Sequence, residues 1–167
     1  MIITVTPNPV LDHTLTVPKI AFDTVTRATA IRDDWGGKGF NVSRVLLALG
    51  VESTALGFVG GATGQRLAAG LAALGIPTDF VTIAGETRTN IVIAEADSAR
   101  YVKVNEAGPT IQPEEIAQFL NKVRQRATPG DTWALCGSLP PGVPDDFYAQ
   151  LIEILQPRGV RVLLDTS

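Results

Sequence analysis

The sequence predicts an α/β protein, with a mainly parallel sheet covered by helices on both faces and a small extra β-sheet set apart from it. Three observations carry that expectation. Short β-branched runs alternate along the chain with stretches whose apolar residues recur at helical spacing, as in strand–helix–strand units. Glycine stands just past two of the helical stretches, where left-handed C-terminal caps belong. Two further segments, Thr14–Ile31 and Thr87–Val104, are rich in Thr, Val and Ile without any helical period.

The elements follow in order. Ile2–Thr6 is β-branched and closed by Pro7, Asn8 and Pro9, a strand ending in a turn. In Asn41–Leu49, Val42, Val45, Leu46 and Leu49 share one helical face, and Gly50 ends it. Thr54–Val59 reads as a strand, followed by GGATG and a helix with Leu67, Leu71 and Leu74 on one side and Gly75 after it. Thr78–Ile83 reads as another strand. Residues 110–126 give a strong helix signal: Pro113 in the first turn, Glu114 and Glu115 at the positive dipole end, then Ile116, Phe119, Leu120 and Val123 in phase. Thr132–Cys136 is a strand, Phe147, Leu151, Ile152 and Leu155 mark a fourth helix, and Val160–Asp165 reads as a last, buried strand. The segments Thr14–Ile31 and Thr87–Val104 are expected to pair as one antiparallel flap, with edge strands as the plainer reading.

Composition narrows the function classes. The chain has 167 residues, 45% of them hydrophobic and 19% charged, which suits one soluble domain with a real core. A net charge of -3 and a pI near 5.1 argue against a nucleic-acid partner, which needs a basic surface. The longest apolar run falls short of the ~20 residues that span a bilayer, and the N-terminus lacks a signal-peptide pattern. The expectation is a cytoplasmic protein with no membrane partner. One cysteine, Cys136, cannot form an internal disulfide, and with the single histidine, His13, no Cys/His zinc site can be assembled. No metal ligands are assigned.

The stretch DDWGGKGFNVSRVLLALG, residues 33–50, puts three glycines around a lysine just before a helix. Such a cluster allows close backbone approach at a helix N-terminus, where amides and the dipole receive anions. It is not a Walker A loop, because Gly39 rather than Ser or Thr follows Lys38, and GFVGGATG at 57–64 does not supply G-x-G-x-x-G. A polar or anionic ligand held by Lys38, the amides around Gly36 and Gly37, and the Asn41 amide group is one reading; a structural glycine turn with an exposed lysine is the other. Asp12 follows the first strand's turn, where a carboxylate can accept hydrogen bonds from two sugar hydroxyls, or stand as a solvated turn aspartate. Arg88 in GETRTN lies on a flap strand, where a guanidinium can clamp a phosphate or simply cover surface. Ser138 in CGSLPPG is placed at the same sheet edge, and no histidine accompanies it as a serine hydrolase would need.

Taken together, GGKGFNVSRVLLALG, GGATG, TRTN, KVNEAGP and CGSLPPGVP, in that order, resemble the PfkB branch of ribokinase-like sugar kinases, nearest to 1-phosphofructokinases and tagatose-6-phosphate kinases. The resemblance runs through the whole chain. It implies a three-layer α/β/α core and a β-sheet lid that closes over the sugar and often forms a homodimer contact. It further implies that Asp12, Gly36, Gly37, Lys38 and Asn41 contact a sugar phosphate, that Arg88 reaches its phosphate from the lid, that Ser138 borders the pocket and that Arg27 contributes from the lid. Lys38 suits a substrate that is already phosphorylated.

Two positions depart from the family pattern without removing a polar contact: Phe40 stands for a smaller aliphatic, and Ala107 for the proline of N-E-P-G-P. The larger departure is that family members continue for roughly as many residues again. That half carries the Asn-x-x-Glu motif, the Gly-Ala-Gly-Asp anion hole with the catalytic aspartate and most of the site for the implied ATP and Mg2+. None of these motifs occurs here, so no catalytic residue is assigned, and the base is expected beyond Ser167. The chain therefore reads as the front portion of a kinase of a phosphorylated ketohexose, reached also from its end at Asp165, Thr166 and Ser167, a strand end without the helix that should follow. The rivals are a non-catalytic sugar-phosphate-binding or dimerisation module and, less well supported for want of a fingerprint, a Rossmann-type oxidoreductase.

Overall fold

A computed structural model describes residues 1–166; Ser167, named above at the end of the last strand, lies outside them. The strands are β1 (Ile2–Thr6), β2 (Val10–Val17), β3 (Ala30–Gly36), β4 (Thr54–Val59), β5 (Val81–Thr82), β6 (Arg88–Glu95), β7 (Tyr101–Val104), β8 (Thr132–Cys136) and β9 (Arg161–Asp165). The helices are α1 (Lys38–Ala48), α2 (Gly61–Ala73), α3 (Pro113–Arg126) and α4 (Phe147–Leu155). Five strands in the order β5-β4-β1-β8-β9 form an all-parallel sheet, and β3-β2-β6-β7 form a second, smaller sheet.

Both faces of the parallel sheet are covered, and the period-two alternation of its strands sorts the core into two layers. Along β4, Leu56 and Phe58 join the layer under α3 and α4, whereas Ala55 and Val59 join the layer under α1 and α2. In the first layer Phe119 lies between Phe58 and Phe147, with ring centroids 4.7 and 5.5 Å away. Burying each such ring contributes about 1.5–3 kcal/mol relative to exposure. The second layer is thinner, built from Phe40, Leu67, Leu71 and Ile76, with Trp35 packed against it.

The helix ends follow from sequence. After α1, the Gly50 and Val51 amides donate to Leu47 and Leu46 carbonyls at 3.0 and 2.9 Å; Gly75 and Ile76 repeat this after α2. At α3, Glu115 turns back to accept the Gln112 amide at 2.8 Å, and its other oxygen accepts the Ala84 amide at 2.7 Å.

Four expectations need correction. The small sheet is mixed, because β2 and β6 pair in parallel while β2–β3 and β6–β7 are antiparallel. The reason is connectivity: β2 and β6 both leave the same end of the parallel sheet and run outward, and β3 and β7 bring the chain back. Strand β2 begins before Thr14 and β3 runs on past Ile31, so Asp12 and Gly36 belong to the sheet itself, and residues 18–29 are connection rather than strand. Helix α1 starts at Lys38, and its buried residues are Gly39, Phe40 and Ser43; Val45 and Leu49, expected in the core, are 61% and 72% exposed. Strand β9 is the end of the sheet rather than a buried strand, with Leu163 and Leu164 exposed. Thr78–Ile83 contributes only the two-residue β5 and a bridge from Thr78 to Ala55. Among the described residues, no helix is long and apolar enough to cross a membrane.

Candidate functional site

The small sheet meets the parallel sheet where β1 ends and α1 begins. The junction is made by Gly36 and Gly37, which connect β3 directly to α1. Gly37 is the N-cap residue with φ of 147°, a backbone region that side chains rarely enter, and a Cβ there would sit 2.7 Å from Thr6 Cγ2. Side-chain capping of α1 is absent, and its first turn carries no acid. Helix α2 differs: Glu86 accepts the Thr63 amide at 2.6 Å and the Ala62 amide at 3.2 Å. Those amide bonds hold the Glu86 carboxyl below the usual carboxylate range.

Lys38 is the first residue of α1, and its Nζ reaches Asp165 Oδ1 at the end of β9, 3.3 Å away. The loop after β8 closes the same space: a Cβ on Gly137 would lie 3.9 Å from Lys38 Cβ, and the Gly137 amide donates to the Asp165 carbonyl at 2.8 Å. Ser138 follows with its side chain exposed. Behind it, the Tyr148 hydroxyl donates to the Gly137 carbonyl at 2.7 Å and fixes the loop. Burial raises the Tyr148 pKa, with a further push from Cys136 and Asp165. Burial likewise raises the Cys136 thiol, aided by Asp165 and opposed by Lys38.

Asp12 enters from β2. Its Oδ1 accepts the Asn90 Nδ2 at 2.9 Å and pairs with Lys103 Nζ at 3.1 Å. Its Oδ2 lies 2.6 Å from where a Cβ on Gly36 would be, so only glycine leaves that oxygen its place. Arg88 begins β6 beside it and is half-buried; its Nη1 donates to the Glu106 carbonyl at 2.8 Å and its Nη2 to the Asn8 carbonyl at 3.0 Å, while its Nε is buried without a partner. Desolvation lowers the Arg88 pKa against the pull of Asp12 and Glu106. Two of its five N–H donors are thus spent on holding the Asn8 turn against the 105–108 loop.

The structure brings Asp12, Gly36, Gly37, Lys38 and Ser138 to one place, with Asn41 one turn along α1, its amide donating to the Gly37 carbonyl at 3.0 Å, and Arg88 at the rim. Arg27 is not drawn in and lies exposed in the 18–29 connection. Sequence reading missed Asn90, Lys103 and Asp165 as parts of this place. The signals were present: Asn90 is two residues after Arg88 on the same strand face, and Asp165 stands at the carboxyl end of a parallel strand, where α/β ligands bind. Among the described residues no three acids, histidines or cysteines cluster as metal ligands would.

Chemically, the place offers the carboxylates of Asp12 and Asp165, the ammonium groups of Lys38 and Lys103, the uncapped N-terminus of α1 and an exposed serine at the carboxyl end of the parallel strands. That set can hold a polyhydroxylated anion. The model of the pfkB family carbohydrate kinases matches residues 6–167. Phosphofructokinase-2 from Escherichia coli, solved in complex with fructose-6-phosphate, is 33% identical over 99% of this chain and 55% of its own, with a TM-score of 0.91. A tetrameric inhibited form of the same enzyme gives the same identity and score. A possible 1-phosphofructokinase from Thermotoga maritima is 32% identical over 99% of this chain and 53% of its own, with a TM-score of 0.86. The chain spans about half the length of these structures. The fold is the ribokinase-like α/β arrangement with its small added sheet, and the chain belongs to the pfkB family of carbohydrate kinases.

Proposed function

We propose that this chain carries the sugar-phosphate-binding part of an ATP-dependent kinase acting on a phosphorylated ketohexose, in the manner of a 1-phosphofructokinase (fructose 1-phosphate to fructose 1,6-bisphosphate) or a tagatose-6-phosphate kinase. The observation that carries the reading is that the Asp12 carboxylate lies against Gly36, two residues before Lys38 at the uncapped N-terminus of α1. Asp12 accepts hydroxyls of the sugar. Lys38 and the first amides of α1 receive its phosphate, an arrangement in which charge-assisted bonds and the helix dipole act together. Arg88 adds its remaining N–H donors from the side, and Asn41 and the Ser138 hydroxyl complete the polar lining. The small sheet serves as a lid over the sugar and as a homodimer contact.

Bound ATP supplies the phosphoryl group, and a divalent metal supplies counter-charge to it. The residues of this chain bind and orient the acceptor, which is the entropic part of the rate enhancement. The base that takes the hydroxyl proton is assigned to the half of the family's length that this chain does not span. Before any substrate arrives, Lys38 is held by Asp165 in a pair exposed enough to be worth little, so an arriving phosphate can take Lys38 over.

The test is Lys38→Ala in the complete enzyme, read by isothermal calorimetry with fructose 1-phosphate and with fructose. Loss of a charged hydrogen bond is worth about 1.5–3 kcal/mol, or roughly 10- to 150-fold, and should fall on the phosphosugar alone. Asn41→Ala should weaken both sugars alike. Equal losses for both ligands in Lys38→Ala would reduce the glycine–lysine loop to a structural turn.

A further inference from the structure

Asp12 is held by two residues whose placement on the sheet explains which of its oxygens is free. Strands β2 and β6 pair in parallel with Asp12 opposite Asn90, so the two side chains rise from the same face of the small sheet. Lys103 lies on the same face, opposite Val92 on the antiparallel neighbour β7 and therefore diagonal to Asn90. Both donors end on one atom, Asp12 Oδ1: Asn90 Nδ2 at 2.9 Å and Lys103 Nζ at 3.1 Å. Asn90 cannot easily turn its amide round, because it is buried and its own oxygen accepts the Glu106 amide at 3.2 Å. Across β3, Asp34 faces Asp12, and it is neutralised by Arg32 Nε at 2.7 Å, so the lysine is not drawn away to it.

We propose that Asn90 and Lys103 are positioning residues for the sugar-binding carboxylate. They occupy Oδ1 and present Oδ2, which lies against the bare backbone of Gly36, as the oxygen that accepts sugar hydroxyls. A free aspartate rotates about χ2 and exchanges its two oxygens. Here an amide of fixed orientation and an ammonium select one of them. The inference rests on the sugar-binding role of Asp12. Lys103 is half exposed on the outer strand β7, so its replacement leaves the fold intact, whereas buried Asn90 is the less clean variant.

The experiment is isothermal calorimetry of the complete enzyme with fructose 1-phosphate and with fructose, on Lys103→Met, Lys103→Arg, Asp12→Ala and the Lys103→Met/Asp12→Ala pair. Lys103→Met should weaken both sugars by the same factor, roughly tenfold, the cost of misplacing a contact rather than removing it. Lys103→Arg should restore most of that loss, since an ammonium is replaced by another fixed cation. In the Asp12→Ala background Lys103→Met should add nothing, because a residue that acts only through Asp12 has nothing left to position. Three results would overturn the proposal: a Lys103→Met enzyme within twofold of wild type, a loss confined to the phosphosugar, which would make Lys103 a phosphate ligand, or an undiminished effect without Asp12. A wild-type enzyme that binds neither sugar would overturn the proposed function, and this inference with it.

Discussion

Gly36 shows how one missing side chain shapes a site. A methyl group there would lie 2.6 Å from Asp12 Oδ2 and 2.7 Å from Val10 Cγ1, closer than atoms of those kinds pack. Gly36→Ala should therefore displace the carboxylate and weaken sugar binding by roughly tenfold or more, with an overpacking penalty of about 1–3 kcal/mol. Calorimetry and thermal melting on one sample separate the two effects; an alanine variant with wild-type sugar affinity would show that Oδ2 does not face the ligand. The same residue illustrates what a sequence can disclose. Gly36, Gly37, Lys38 and Asn41 lie within six consecutive positions, so their joint chemistry can be read directly. Asn90 and Lys103 join Asp12 only through strand register, and no local pattern announces that β2 will pair with β6. Arg88 was legible as a cation near the site but not as one that spends two donors on the Asn8 and Glu106 carbonyls, because backbone acceptors are invisible in side-chain patterns.

The helices divide in the same way. Helix α3 announced itself, because Pro113, Glu115 and an in-phase apolar face all favour the same structure, and consistency of that kind leaves little to tertiary context. Helix α1 carried a good apolar stripe that turned out to point away from the sheet. Its inward face is instead Gly39, Phe40 and Ser43, because the helix must lie close enough to β1 for Gly39 to approach the Val5 carbonyl and for Ser43 to meet Thr4 Oγ1 at 2.7 Å. Close approach selects small and polar residues, which a hydrophobic count does not find. Helix α2 supplies a measurable case of capping from a distance. The Glu86 carboxyl is held below its ordinary value of 4.5 by the Thr63 and Ala62 amides, so its contribution to stability is complete above that value and is lost as pH falls through the lower, folded-state pKa. Glu86→Gln should destabilise the protein at pH 7 by less than about 1 kcal/mol, since the carboxylate is exposed. The gap between wild type and variant should close as the pH is lowered from 4.5 downward. A gap that stays constant between pH 7 and pH 3 in thermal melts would mean that the charge on Glu86 contributes nothing.

Across the whole molecule, the covering of the parallel sheet is uneven. Strands β4, β1 and β8 lie between two helix layers, whereas β9 pairs with β8 on one side and, among the described residues, with no strand on the other. Leu163 and Leu164, on opposite faces of β9, are 56% and 49% exposed, and Val45 and Leu49 add an apolar surface on α1. An open strand edge flanked by apolar side chains is a template for pairing with another chain. Two consequences follow for the 167-residue chain studied alone. It should give no ATP-dependent phosphorylation of fructose 1-phosphate above a no-protein control, because the roles proposed for Asp12 and Lys38 position an acceptor and neither remove its proton nor hold the donor. It should also self-associate at ~100 µM, a concentration at which exposed edges commonly pair. Leu164→Lys, which puts a charge on the open edge, should reduce that association, while a dimer made through the small sheet would be indifferent to it. Sedimentation velocity of both forms distinguishes these cases: a wild-type chain that stays monomeric, or an association unmoved by the lysine, would show that β9 is not a free pairing edge.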